Sequence, residues 1–559
     1  MRCRLLATTA LCAAWLFAAD PARAEPVTAT VASWLVTAGL SKTAAAIVAS
    51  AALQIGGTVG LSLIGQRLVR RQPDIKRELS VPTSRPSKRW AYGRARIPGT
   101  PALRVEGRTL IMGVILNSRP SAGGTVKIYF DGREAMIESG DLYDFDAGGA
   151  VLAPVDSDVS FGGSSDRPRA WLGLGGQTKA PDVVVADSEG QIRATDYAGG
   201  KTILWLRIGA GSKSSFTERW PNSPPIVEVE ADWSLVWDPR DGAQDPDDPG
   251  TWAWCNNHGL IMLDAALNNP IRRRQRRLVD IDAFAAAATL ADEDVPLYYA
   301  SVAVGAWPGS PLTVKRYTVN GLLVWSGVEL MDQLRPLADA GGGDLVQVGG
   351  RLSYVPPVSR APDYTITDIL DEGGLDFARL RPGAELPTAV VASYVAPARG
   401  WEEADLPPLP VDAGSSQTLE DGTYELPLPF VTEPTQAMRI AQIARRRFEA
   451  QKGLSCMLPP SAIILGPGAI AAWDIPELPK CAGNWRVESI NPSLWLQGGG
   501  VALRCPVTLA EEPVGVDAWD PETDEIEIVN EVFAPRGSIM AVAPLGTIAA
   551  GPIARDPFQ

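Results

Sequence analysis

Residues 328–355 read VELMDQLRPLADAGGGDLVQVGGRLSYV, and three local signals follow one another within them. Val328–Ala340 reads as a helix, and Gly341-Gly342-Gly343 ends it, because glycine enters the left-handed cap conformation without a side-chain penalty. Leu345–Val348 and Leu352–Val355 then read as two strands joined by the tight turn Gly349-Gly350. A helix followed directly by a hairpin points to an α+β chain. The wider composition agrees, since 17 Trp, 54 Gly and 47 Pro in 559 residues suit a β-rich, loop-rich protein better than a helical bundle.

Working outward, this element pair sits in a region expected to span 311–405, opened by Arg316–Asn320-Gly321. A Pro-rich strip, Leu406–Pro410, begins the next region, 406–510. There Pro434–Lys452 reads as a helix with Arg445-Arg446-Arg447 late in it, where cations suit the helix dipole, and four strand-like runs continue to Ala510. Upstream, 88–250 shows short β-type runs at Thr109–Leu116, Thr125–Phe130, Asp182–Ala186, Thr202–Ile208 and Ile226–Trp237, with Asp131-Gly132 as a hairpin turn. Between these regions, 251–310 is expected to be a helical insertion. It holds helices Gly259–Leu267 and Ile281–Leu290, the basic turn Arg272–Arg277 and an irregular Thr289–Pro308.

The ends differ from the body. Of 51 Lys+Arg and 65 Asp+Glu, 14 and 4 lie in the first hundred residues, leaving 37 and 61 beyond. That acidic body argues against direct nucleic-acid recognition, which needs clustered cations. Met1–Ala24 has the three parts of an export signal: Arg2 and Arg4, the apolar Leu5–Ala19, and Ala22-Arg23-Ala24. Val27–Gln66 then carries a single charge, Lys42, and its apolar residues cover every helical face, so it must be buried in protein or lipid. Residues 1–71 are thus read as an apolar helical segment, 72–87 as a Pro-rich linker, and 511–559 as an acidic exit segment with a Gly/Pro tail.

Chemistry is sparse. His258 is the only histidine. Cys255 and His258 have ligand-like spacing but no second pair beside them, so a structural turn is preferred to a metal site. Asp245–Gly250 reads as an acidic surface loop, because prolines stand where a calcium loop needs spacers. Gly173-Leu174-Gly175-Gly176 lacks the spacing of a dinucleotide fingerprint. The pair Glu402-Glu403 has no special spacing, and Trp233, Trp237, Trp252 and Trp254 are read as inter-strand packing rather than a sugar platform. Cys481 and Cys505 could pair, but buried free thiols are preferred. No catalytic, cofactor-binding or metal residue is assigned, no cofactor is expected, and the chain is read as a non-enzyme.

One resemblance is carried by motif order. Leu79-Ser80-Val81-Pro82, Trp90-Ala91-Tyr92-Gly93-Arg94-Ala95-Arg96-Ile97-Pro98-Gly99, the strand pair Thr109–Leu116 and Val126–Glu134, Trp237-Asp238-Pro239-Arg240, and Gly259–Leu267 follow one another. Tyr317–Leu334, Gly341–Val355, Ala437–Phe448, Trp485–Val487 and Glu511–Asp520 complete the series. Over roughly 75–525 this order resembles tail-tip (baseplate) hub proteins of long-tailed bacteriophages, relatives of the lambda host-specificity tail-tip protein and of gene transfer agent hubs. Cys255-Asn256-Asn257-His258-Gly259 departs from the family's Ser-x-Asn-Pro.

The resemblance implies several β-barrel or sandwich-like hub modules with inserted helices, assembled as a homotrimer in the virion at the distal end of a tail. Implied partners are tail tube or distal tail proteins, the tape-measure protein, tail fibre or tip proteins, and the host outer membrane through the N-terminal segment. The implied role is closing the tube until genome ejection. Larger relatives add fibre domains beyond the acidic exit, so receptor recognition is expected to fall to separate fibres. The alternative is an exported periplasmic or outer-membrane-associated β-rich binding protein with a cleaved signal.

Overall fold

The computed structural model describes residues 87–106, 109–156, 160–162, 167–209, 219–222, 224–270, 274–381, 386–412, 422–497 and 500–528. The apolar segment 1–71, the linker up to residue 86 and the tail beyond 528 lie outside them. The described fold is β-rich α+β, with a nearly closed barrel, a half-barrel sheet and few helices.

The barrel uses β2 (Arg94–Pro98), β3 (Thr100–Glu106), β4 (Thr109–Asn117), β5 (Ser121–Phe130), β6 (Arg133–Ser139), β7 (Ala150–Pro154), β8 (Arg169–Gly173), β9 (Thr202–Gly209) and β10 (Val227–Val236), after β1 (Lys88–Tyr92). Pairing runs β3-β4-β9-β8-β7-β6-β5-β10, and β10 pairs with β2. Since β2 and β3 are separated only by Gly99, one bent stretch of chain serves both edges of the sheet and draws it into a ring. Gly99 marks the change of partner: its N–H donates to the Val227 carbonyl at 2.8 Å, and Thr100 pairs with Ile115. A Cβ there would sit 2.2 Å from Val114 Cγ1, so the crossing needs glycine.

Alternation explains both barrel faces. Along β4, Met112, Val114 and Leu116 join Leu204, Leu206 and Trp233 in the barrel core. The intervening Ile111 faces outward with Ile203, Trp171 and Trp205, under a cover built by Val184, Ile192 and Ala180. Strands buried on both faces read as the unbroken apolar runs seen at 110–116 and 203–206. Each large side chain so buried stabilises by roughly 1.5–3 kcal/mol. The Asp131-Gly132 turn has positive φ at both residues (51° and 81°) and joins β5 to β6, as expected of this dipeptide.

A central core gathers elements from distant parts of the chain. Helix α2 (His258–Asn268) buries every residue but the last. Helix α3 (Ile281–Ala291) packs on it, with β11 (Gly321–Trp325), α5 (Leu330–Asp339) and the hairpin β12 (Asp344–Val348) and β13 (Arg351–Val355). Strand β1 pairs with β11 in register Lys88↔Trp325 to Tyr92↔Gly321. Helix α6 (Pro434–Glu449) lies against the sheet of β16 (Ala389–Ala396), β17 (Glu402–Asp405), β18 (Leu409–Pro410) and β19 (Thr423–Leu428). The half-barrel has its own core and the order β14 (Tyr364–Ile366), β21 (Ile470–Trp473), β22 (Gly483–Ile490), β24 (Gly500–Glu511), β20 (Gly453–Leu458), β15 (Leu375–Ala378), with β23 (Ser493–Gln497) on β24.

Three sequence expectations are corrected. Asp182–Ala186 is not a strand but the start of a short helix, α1 (Asp182–Asp187). Only Val184 is buried, over the Trp171/Trp205 cluster, and Ser188 Oγ closes the helix on the Val185 carbonyl at 2.8 Å. Tertiary packing overrides the β preference of Val183–Val185. Within Thr289–Pro308, Asp294–Pro296 pairs with Thr313–Lys315, and α4 (Tyr298–Ala303) follows. Glu525, from the far end of the chain, accepts the Tyr298 N–H at 2.6 Å, a partner that local sequence does not reveal. The helix expected over Pro434–Lys452 stops at Glu449, and five strands rather than four run from Gly453 to Glu511.

Candidate functional site

Tyr92–Arg96, the most distinctive of the sequence motifs, sits where the central core meets the barrel. The Tyr92 hydroxyl donates to Asp264 Oδ2 at 2.7 Å. Asp264 is buried in α2 and also accepts a two-pronged contact from Arg119 and a 2.9 Å bond from Asn268 Nδ2. Burial, reinforced by the Asp264 carboxylate, raises the Tyr92 pKa well above its usual value, so it stays a donor. Arg119 stacks over Trp90, 4.5 Å from the ring centroid. Gly93 adopts φ +59°, its carbonyl accepts the Trp233 N–H at 2.9 Å, and a Cβ would stand 2.2 Å from the Val319 carbonyl oxygen. Arg94 reaches Glu230 (2.8 Å), Asp232 (3.1 Å) and the Thr125 carbonyl (3.0 Å), while its own N–H donates to Asn320 Oδ1 at 2.9 Å. Arg96 pairs with Glu228 and covers the Tyr129 ring. This motif is therefore a joint, not a reaction centre.

Beside the joint opens a cleft of about 910 Å³, lined by Lys88, Arg89, Arg119 and Lys201 together with Trp90, Thr100, Ser118 and Asn268, and by no carboxylate. Asp264 neutralises Arg119. Arg89 is held by neutral oxygens alone, Thr100 Oγ1 and the Pro98 carbonyl (2.6 Å), and burial pulls its pKa down to about 10. The cleft thus presents cations without their own counter-ions in a protein of net charge −14.

The remaining sequence candidates are not brought into a common site. His258 opens α2, fully buried, with Nε2 2.8 Å from the Leu337 carbonyl and Tyr354 5.0 Å away; burial lowers its pKa to about 4. Burial pushes the Cys255 thiol up to about 12. Among the described residues no group of three or more His, Cys, Asp or Glu is placed to hold a metal ion. Asp245–Gly250 is tied by local turns, Asp245 accepting from Asp247 N–H and Asp248 from Gly250 N–H, and Asp247 pairs with Arg276. Trp233 belongs to the barrel core and donates to the Ala95 carbonyl at 2.8 Å. Trp252 donates to the Asp245 carbonyl and Trp254 to the Gly93 carbonyl, and Trp237 packs against the central core. Gly173 ends β8 and Gly175 turns away against Pro120. Glu402 and Glu403 lie exposed and adjacent on β17, where neighbours point to opposite faces, and Glu403 accepts from Ser393 at 2.6 Å. Cys456, Cys481 and Cys505 are free thiols in the half-barrel core.

Sequence reading missed Asp264, Arg119 and Asn268. A usable signal existed: Asp264 is the one charge within the apolar Gly259–Leu267, and an isolated buried charge needs a partner.

With this geometry in place, comparison with known proteins gives a family match over part of the chain and a set of structural likenesses. Residues 330–490 match the family described as "Putative phage tail protein", a span running from the first residue of α5 to the last of β22. Among solved structures, the chain is similar to one in the virion of a native gene transfer agent particle, at 17% identity, 86% coverage of this chain, 98% of that chain and a TM-score of 0.49. A 43 kDa tail protein of prophage MuSo2 from Shewanella oneidensis gives 12% identity, 77% and 95% coverage and a TM-score of 0.25. Prophage tail protein gp18 of Listeria monocytogenes EGD-e gives 8% identity, 75% and 87% coverage and a TM-score of 0.19. No curated protein matches the chain.

Proposed function

We propose that this chain is a structural, non-enzymatic protein of a phage-type tail, and more specifically the central hub at the tail's distal tip. The observation that carries the tail assignment is the family match over 330–490, which covers α5, the hairpin β12–β13, the sheet packed on α6, and the half-barrel through β22. In this reading the hub is a homotrimer in the virion. It closes the tail tube and contacts tube or distal tail proteins and the tape-measure protein. Tip or fibre proteins attach to it, and 1–71 is the part directed at the lumen or at a host membrane. The nearly closed barrel supports this role, because a sheet curled almost into a ring leaves little edge open to uncontrolled strand addition in an assembly.

Two measurements test it. Native mass should give an assembly at three times the 59.5 kDa chain mass, and immunogold labelling of particles should mark the distal tail tip. A monomer, or label on the capsid or nowhere, would sink the hub reading. The export-signal pattern of Met1–Ala24 favours a second reading, an exported β-rich binding protein; an intact mass lacking those residues would support it.

A further inference from the structure

We propose that the cation-lined cleft beside β1 is a binding site for the phosphate of an anionic lipid headgroup. Lys88 and Lys201 are exposed, and none of the ion pairs of the described residues engages them. Arg89 lies deeper, its guanidinium spent on two neutral oxygens, and among the described residues no carboxylate pairs with it. Arg119 closes the cleft on the side of Trp90, oriented by Asp264 and the ring. The walls add neutral donors, the hydroxyls of Thr100 and Ser118, and no carboxylate repels an incoming anion. Three uncompensated cations around a pocket of about 910 Å³ suit one phosphate and its ester substituents rather than a long polyanion.

The choice of a lipid, rather than free phosphate, comes from the sequence leading into the cleft. The nearly uncharged Val27–Gln66 is followed by Arg67, Arg70, Arg71, Lys76, Arg77 and Arg85 against only Asp74 and Glu78, and the cleft's own Lys88 and Arg89 continue that cationic excess. An apolar segment followed by clustered cations is the pattern that reads anionic lipid surfaces, each cation strengthening attachment about fivefold. This source, though not the anion site itself, rests on the membrane-directed reading of the N-terminus.

The test compares the full chain with Lys88→Ala/Lys201→Ala in flotation with phosphatidylcholine vesicles, with and without phosphatidylglycerol. Both side chains are exposed, so the double variant keeps the wild-type melting temperature. Wild type should exceed the variant by about 25-fold on phosphatidylglycerol vesicles and equal it on pure phosphatidylcholine, where the apolar segment acts alone. Equal partition on the anionic vesicles would overturn the site. Lysine-dependent binding of inorganic phosphate in solution with no wild-type excess on the anionic vesicles would overturn the lipid as source, and an oligonucleotide bound with the same lysine dependence would reassign the cleft to nucleic acid. None of these outcomes alters the native mass or the labelling pattern, so failure here is separable from failure of the hub reading.

Discussion

Replacing Asp264 by Asn should loosen the joint between the central core and the barrel without changing its shape. The amide keeps the volume of the carboxylate and can still accept from the Tyr92 hydroxyl, but it leaves the Arg119 guanidinium facing a neutral group. Breaking a buried ion pair by removing one partner costs about 3–5 kcal/mol. Arg119 keeps its contact with Trp90 and its side chain is 14% exposed, which places the expected loss at the lower end, about 3 kcal/mol. A chain of this size does not unfold in one step, so a single melting curve is a poor reporter. Hydrogen exchange resolves local opening instead. Amides of Tyr92 and of α2 should exchange about 150-fold faster in the variant, while those of the half-barrel stay unchanged. The double substitution Arg119→Met/Asp264→Leu should recover only part of the protection, since it removes both charges together but leaves the buried Tyr92 hydroxyl without its acceptor. An acceleration below about fivefold at Tyr92, or an equal effect in the half-barrel, would refute the view that this network fastens the joint.

Gly93→Ala should cost at least the roughly 1–2 kcal/mol of a left-handed alanine, plus displacement of the Val319 carbonyl, and lower the melting temperature of the barrel transition. His258 gives a pH dependence of defined sign: its folded pKa lies near 4, below the usual 6.5, so its contribution is complete above pH 6.5 and lost as pH falls through about 4. The loss amounts to about 3 kcal/mol, and His258→Gln should flatten that part of the stability–pH profile; an unchanged slope would refute it. Cys456, whose thiol burial raises to about 12, should resist iodoacetamide in the native protein together with Cys481 and Cys505, and all three should react after denaturation. Deleting Val27–Gln66 should leave the β-body soluble while impairing tail-tip closure or infection, which normal particle titres would disprove.

Local pattern was legible wherever a few consecutive residues sufficed. The run from α5 through Gly341–Gly343 to the β12–β13 hairpin appears as read, because cap and turn chemistry are written in adjacent residues. So does the Asp131-Gly132 turn. Partners far apart in sequence were not legible. Nothing near Tyr92 announces Asp264, 172 residues away, and nothing near Lys88 announces Trp325. Gly99 looks like an ordinary turn glycine in sequence, and only the sheet shows it to be the point where the ring closes. The cleft was hidden for the same reason: Lys88, Arg119 and Lys201 come from three separate stretches, and none is unusual alone.

The pairing of β1 with β11 also has a consequence for how the chain is made. Domains form from the N-terminus during synthesis at about 5–20 residues per second, so β1 waits roughly 10–50 s after leaving the ribosome before Gly321–Trp325 follows. The barrel has all its strands once Val236 has emerged, well before that, and already holds β1 through Ser118, Asn117 and Ser234, with only the edge that β11 will take still unpaired. Throughout the interval that edge of β1 stays open to strand addition. The first strand of the fold is thus the last of the early ones to complete its pairing, and its outer edge is the part of the nascent body left open longest.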